Sequence, residues 1–174
     1  MKKLFMGAFL LVSVIAVRSL PKEGRRERHV EESTHIEAPP EAIFPFFIDP
    51  EKMPRWMGVS AELDPRPGGG YRWNVNGNDI ARGEYVTIEP PRRVVFTWGW
   101  EGDGNPVPPG SSTVEVTLTP DGDGTLVRLE HRDLPEPTQA DHAEGWEHFL
   151  ARLAVVAAGG DPGADPWTKE MPAS

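Results

Sequence analysis

The 174-residue chain contains no cysteine. That single absence excludes disulfide scaffolds, thiol nucleophiles, cysteine-ligated zinc and iron–sulfur clusters, and it leaves the redox compartment undecided. The five histidines, His29, His35, His131, His142 and His148, are not spaced as a metal motif such as HExxH. There is no GxSxG elbow, phosphate loop or dinucleotide fingerprint, and Gly68-Gly69-Gly70 follows a proline as a turn and opens no helix. Hydrolase, kinase and dehydrogenase chemistry therefore have no support, and neither a metal nor a cofactor is expected. A long membrane-spanning run is missing too. Leu4–Val17 is uncharged for fourteen residues, short of the roughly 20 that a bilayer-crossing helix needs.

Lys2 and Lys3 precede that run and Arg18 follows it, the pattern of a secretion signal, but no Ala-x-Ala cleavage site is present. Two readings stay open: a genuine signal over Met1–Ser19, giving a secreted or anchored protein, or a leader ahead of a cytoplasmic domain, which is the expected compartment. Either way residues 1–27 stand apart from the fold. The net charge is −9, and residues 1–28 hold seven Lys and Arg against two Glu, which leaves the remaining 146 residues at −14. A body that acidic repels phosphate backbones, so nucleic acid is not an expected partner.

What the chain does hold is turn residues and tryptophan. Nineteen prolines and eighteen glycines punctuate short strand-like runs, and there are six tryptophans. RHVEESTHIEA, from Arg28, alternates as a polar-faced strand. Pro39 and Pro40 suit a helix start, and EAIFPFF gives an apolar stripe that Pro45 keeps short. A second short turn, DPEKMPRW, follows. VSAELD, YRWNVN, IARGEYVTIE, RRVVFTWGW, SSTVEVTLT and TLVRLEH then read as six strands of an antiparallel meander, closed in turn by clusters such as PRPGGG and PDGDG. After Pro135 and Pro137 the period changes. Thr138 with Asp141 suggests a capping box opening a helix through Val156, whose Trp146, Phe149, Leu150 and Leu153 fall on one face. The expected architecture is α+β: a curved antiparallel sheet of about seven strands around a long C-terminal helix, with two short helices after the first strand. The domain spans 28–160, and 161–174 is expected to be a loose tail apart from a dock for Trp167. Because a straight helix cannot lie flush in a strongly bent sheet, a gap is expected between them.

The succession IEAPPEAIF, DPEKMPRWMG, RPGGGYRW, ARGEYVTIEPPRRVVFTWGW, STVEVTLTPDGDGTLVRLEHRDLP and HAEGWEHFLARL resembles the START-like (SRPBCC, helix-grip) superfamily. Within it the chain is most similar to the branch of the heat-shock-protein-90 ATPase activator homologue and polyketide cyclase-like proteins. The resemblance covers about residues 30–158 and implies a deep, largely apolar cavity between sheet and long helix for small hydrophobic ligands, lipids among them. It also implies a bacterial, cytoplasmic setting.

Alternation on RRVVFTWGW places Val94, Phe96, Trp98 and Trp100 on one face. The candidate ligand-binding set is Trp56, Tyr71, Trp73, Glu84, Phe96, Trp98, His131, Trp146 and Phe149, with core packing the competing reading for the aromatics. His131 shares the inner face of its strand with Val127 and Leu129, and a satisfied structural histidine is favoured over a catalyst. Arg82 and Glu84 are expected on a solvated outer face beside a bulge near Gly83, unless they turn inward to hold a polar head. The favoured function is a binding domain for a small hydrophobic or aromatic ligand. A cyclase or dehydratase using the same cavity is the alternative; it would need Tyr71, Glu84 or His131 as an inward acid or base. A chaperone-ATPase-activator role is the third reading. The oligomeric state, the ligand's identity and any catalytic residue are left open by the sequence.

Overall fold

The computed structural model describes residues 29–169, so the expected leader lies outside the described residues. The strands are β1 (His29–Ile36), β2 (Ser60–Leu63), β3 (Gly70–Asn74), β4 (Ile80–Glu89), β5 (Arg93–Trp98), β6 (Ser112–Asp121) and β7 (Gly124–Arg132). They form one sheet in the order β1-β7-β6-β5-β4-β3-β2, and each neighbouring pair is antiparallel. After β1 the chain crosses to the far edge and returns strand by strand, so the first and last strands, β1 and β7, pair with each other.

The crossing is made by α1 (Pro40–Ile43) and two 3-10 turns, Phe44–Phe47 and Met53–Arg55. Pro45 lacks the N–H that would continue α1, and the helix tightens there, as the sequence requires. The long helix α2 (Gln139–Ala157) comes last. Its buried residues are Trp146, Phe149, Leu150, Leu153 and Val156, the expected helical stripe. The fold is the α+β helix-grip arrangement.

Two local expectations need correction. Thr138 caps nothing: it already has helical backbone angles as the end of a 3-10 turn, and its hydroxyl donates to the Pro135 carbonyl at 2.8 Å. The irregularity in β4 falls between Tyr85 and Thr87, two residues beyond Gly83. Gly83 has another reason to be glycine, since a Cβ there would sit 2.1 Å from the Thr97 carbonyl oxygen.

The inner face of the sheet has two covers. α2 packs closest to β1 and reaches β7 and β5 through Trp146. The short helical turns cover the β4 side, where Tyr85 donates to the Phe47 carbonyl at 2.8 Å and Phe47 meets Trp56 edge-on. The outer face is charged. Glu31, Glu130 and Glu115 lie opposite one another on β1, β7 and β6, and Arg128, Arg132 and Arg93 interleave with them as ion pairs. Directly opposed carboxylates repel, so the arginines are what make this register tolerable. The hydrogen bond from Arg93 is the main cause holding the Glu115 carboxyl below its ordinary range.

Candidate functional site

The aromatic residues of β3, β4 and β5 form a continuous layer under these covers. Tyr71, Trp73, Tyr85, Phe96 and Trp98 are each no more than 4% exposed. Neighbouring rings meet edge-on or tilted, with centroids 5.2–6.3 Å apart, the geometry that ring quadrupoles favour. Most of this layer is closed. Tyr71 donates to the Thr97 carbonyl at 2.5 Å, and Trp56 donates to the Phe46 carbonyl at 3.0 Å. Burial pushes the Tyr71 hydroxyl's pKa well up, so it stays a neutral donor.

At the end of β5 the packing opens. A cleft of about 310 Å³ lies between the N-terminal half of α2, the 99–111 loop and the β3–β4 turn. Trp98, Trp100, Trp146, Phe149 and Trp167 supply its rings, Met57, Val75 and Val107 further apolar surface, and Asn76, Asn105, Thr138, Asp141 and His142 its polar groups. The loop is held in place by the Trp100 N–H donating to the Val107 carbonyl at 2.8 Å and the Val107 N–H donating to Asn105 at 2.9 Å. Gly99 permits this fold-back: a Cβ there would sit 1.9 Å from the Pro108 carbonyl oxygen.

A hydrogen-bonded relay stands behind the indole wall. Trp146 Nε1–H donates to His131 Nδ1 at 3.0 Å, so the ring proton sits on Nε2, which faces Ser112 Oγ at 2.8 Å. The Ser112 hydroxyl donates onward to the Trp98 carbonyl at 3.0 Å. With both nitrogens engaged and no solvent contact, His131 is pushed down to a pKa of about 3, by burial first and then by neighbouring His142. His142 is on the cleft itself. Its Nε2 accepts from Trp100 Nε1–H at 3.1 Å, which leaves the other nitrogen to donate to the Thr138 carbonyl at 2.7 Å. Burial lowers its pKa too. The site therefore holds two neutral, edge-on imidazoles, centroids 5.2 Å apart, rather than a cation or a free base.

Of the nine residues picked from sequence, Trp98, Trp146 and Phe149 line the cleft. Tyr71, Trp73 and Phe96 form the closed layer beside it, Trp56 is core under the short turns, and His131 is the relay behind the wall. Glu84 does not join them. It is exposed on the outer face because Ala81 and Tyr85, odd-numbered on β4, take the inner one. The sequence reading missed Trp100 as a site residue, although it falls on the Trp98 face, and missed His142, which stands one helical turn before Trp146. Trp167 was noted only as a possible dock. Among the described residues, His29, Glu31 and Glu130 bring ligand-type atoms within 4.8 Å of one another, but Glu31 and Glu130 are already paired with Arg128. No described helix is long and apolar enough to cross a membrane.

One residue of the cleft is present at a cost. Gly145 lies in the middle of α2, where glycine is less favourable than alanine by about 0.8–1 kcal/mol. A Cβ at Gly145 would meet nothing within 4 Å, so close packing does not demand the glycine. Its missing side chain leaves the cleft floor open.

Residues 37–158 match the profile of the family described as activator of Hsp90 ATPase homolog 1-like protein. Among solved structures, an AHSA1-like protein of Rhizobium etli is 48% identical, with a TM-score of 0.64 over 82% of this chain and 89% of that one. CalU16 of Micromonospora echinospora is 30% identical, with a TM-score of 0.67 over 85% of this chain and 77% of that one. An Hsp90 activator of Plasmodium falciparum shares the fold at 23% identity, with a TM-score of 0.61 over 74% and 95% of the two chains. No curated protein matches. The chain belongs to the activator of Hsp90 ATPase homolog 1-like family.

Proposed function

We propose that the protein is a binding domain that holds a small, flat, mainly apolar or aromatic molecule in the cleft between α2, the 99–111 loop and the β3–β4 turn. The observation that carries this reading is the cleft's composition: four indoles and a phenyl ring around about 310 Å³, the size and lining typical of small-molecule sites. Gly145 supports it, since an otherwise unfavourable residue keeps that volume free. Charge narrows the ligand. Among the described residues that line the cleft, Asp141 is the only acidic one and none is a lysine or arginine. An uncharged or amine-bearing ring suits it, whereas a carboxylate, a fatty acid's included, would meet no cation and would face Asp141.

A catalytic reading has less support. Each of the three candidate acids and bases is committed elsewhere: Glu84 outward, the Tyr71 hydroxyl to a backbone carbonyl, both His131 nitrogens to protein partners. General acid–base work needs a group within reach of substrate. A chaperone-activating role rests on relatives' names alone.

The test is thermal unfolding with indole, tryptamine and indole-3-acetate, three ligands sharing one ring and differing in charge. A ligand at 100 times its Kd adds about 2.7 kcal/mol of stability, so binding will register plainly. Indole and tryptamine are expected to stabilise and indole-3-acetate to do so least. Gly145→Leu, which fills the floor, should abolish the shift while remaining folded. No shift with any of the three at millimolar concentration, or the same shift in Gly145→Leu, would remove the reading.

A further inference from the structure

Residues 161–169, expected to be loose, lie back along α2, and Trp167 from this segment is the aromatic of the cleft that follows the long helix rather than belonging to it, the sheet or the 99–111 loop. We propose that residues 161–169 form a strap whose Trp167 is a displaceable wall, so that strap opening governs entry to the cleft. The proposal rests on the cleft being the binding site.

Trp167 is a partition. One side lines the cleft, and the other lines a groove of about 410 Å³ along α2 beside Glu144, His148 and Val155. Lifting the indole would join the two spaces. It is also the least secured ring of the set. Trp98 and Trp146 are 1% and 3% exposed, whereas Trp167 is 39% exposed. It stacks on His148 with centroids 3.9 Å apart and planes 15° off parallel, and meets Phe149 edge-on at 5.9 Å. A stack of this kind holds a ring down by about tenfold, enough to favour closure and little enough to be overcome by a ligand.

The anchors are polar and few. The Asp165 carboxylate is 2.9 Å from His148 Nε2 and accepts from the Trp167 N–H at 2.9 Å, but its other oxygen, buried 3.9 Å from Arg152 Nε, accepts no hydrogen bond from a described residue. Arg152 donates to the Pro162 and Gly163 carbonyls. At the far end the Lys169 N–H donates to the Asn76 carbonyl at 2.7 Å, and Asn76 is itself on the cleft rim. Gly159 and Gly163, at φ +91° and +70°, give the strap turning points that side chains resist. A latch tied to the rim and turning on glycines can rise without disturbing α2.

The experiment uses the full chain and stopped-flow binding of Nile red, a neutral flat dye that brightens in apolar surroundings. Trp167→Ala is expected to raise the dye's association rate about tenfold, the factor the stack supplies, with Trp167→Phe intermediate. Asp165→Asn, which loosens the latch and leaves the wall in place, should raise it several-fold. Rates in Trp167→Ala and Asp165→Asn that stay within about twofold of the parent would overturn the strap as a gate, since a limiting step that small is negligible on the tenfold scale. Hydrogen exchange of the ligand-free protein reads the strap independently of any dye. The Thr168 and Lys169 amides should accelerate together in Asp165→Asn while those of Leu150 and Leu153 keep their parental rates. Acceleration of α2 along with the strap would show no separate opening and would also overturn it. If Nile red, indole and tryptamine all fail to bind, the binding function falls, and exchange alone then decides whether the strap opens.

Discussion

The inner face of the sheet ends in two different ways although both ends are aromatic. Under the short helical turns, Tyr71, Tyr85 and Trp56 are closed in, and each gives its polar hydrogen to a backbone carbonyl. Under the N-terminal half of α2, Trp98, Trp100 and Trp146 border open volume, and two of their N–H groups go to histidines. Aromatic content alone therefore does not make a site. What separates the ends is the cover: Phe46, Phe47 and Met53 fill the first, whereas a glycine faces the second from α2.

The sharpest way to break this contrast is to remove a ring from the open end. Trp146→Ala should cost about 3–5 kcal/mol in urea unfolding, as for other buried aromatics, because it also strips His131 of its Nδ1 partner. A cost under about 1 kcal/mol would mean the wall is not a packed structure. Gly99→Ala should cost about 1–3 kcal/mol, the usual range for a forced backbone shift, and should weaken indole binding by displacing the loop that carries Val107. A binding-neutral Gly99→Ala would separate loop from cleft.

Acid probes the relay. His131 holds its proton more weakly folded, at about 3, than unfolded, at about 6.5. The unfolded chain therefore binds more protons between those values, and the stability His131 contributes is complete above pH 6.5 and lost as pH falls toward 3. The slope approaches about 1.4 kcal/mol per pH unit per histidine. Between pH 6 and 5 the glutamates with lowered pKa, Glu31, Glu101 and Glu115, add only a small loss, and Glu32, whose pKa is raised by burial, offsets part of it. Urea midpoints there read mainly the histidines, with His142 acting in the same direction as His131. A flat profile over that interval would show His131 to be charged or wet. The smallest effect expected is Gly145→Ala, a gain of about 0.5–1 kcal/mol from helix propensity, which sharpens the contrast if binding falls as stability rises. A loss of stability would reveal a packing role for the glycine.

Much of this was legible in the sequence, and the limits have physical causes. The strand-like runs located every strand, and IARGEYVTIE matches β4 residue for residue, because most strands have one inner and one outer face, although β5 buries Val94, Val95 and Phe96 in succession. The stripe Trp146, Phe149, Leu150, Leu153 gave the face of α2. Alternation also says which side a ring takes, but not whether its neighbours fill the space in front of it, so Tyr71, Trp73, Phe96 and Trp56 were grouped with Trp98 and Trp146. His142 and Trp167 escaped for another reason. Their positions depend on Trp100 and Asp165, partners 42 and 17 residues distant from His142 and His148, and no local pattern encodes such pairs.

The contrast between the two ends is tested most directly by following the six indole N–H resonances of the protein during a titration with indole. The account predicts that the signals of Trp98, Trp100, Trp146 and Trp167 move and saturate together while those of Trp56 and Trp73 stay in place. Shifts centred on Trp56 and Trp73, or six unmoved signals at millimolar indole, would contradict it.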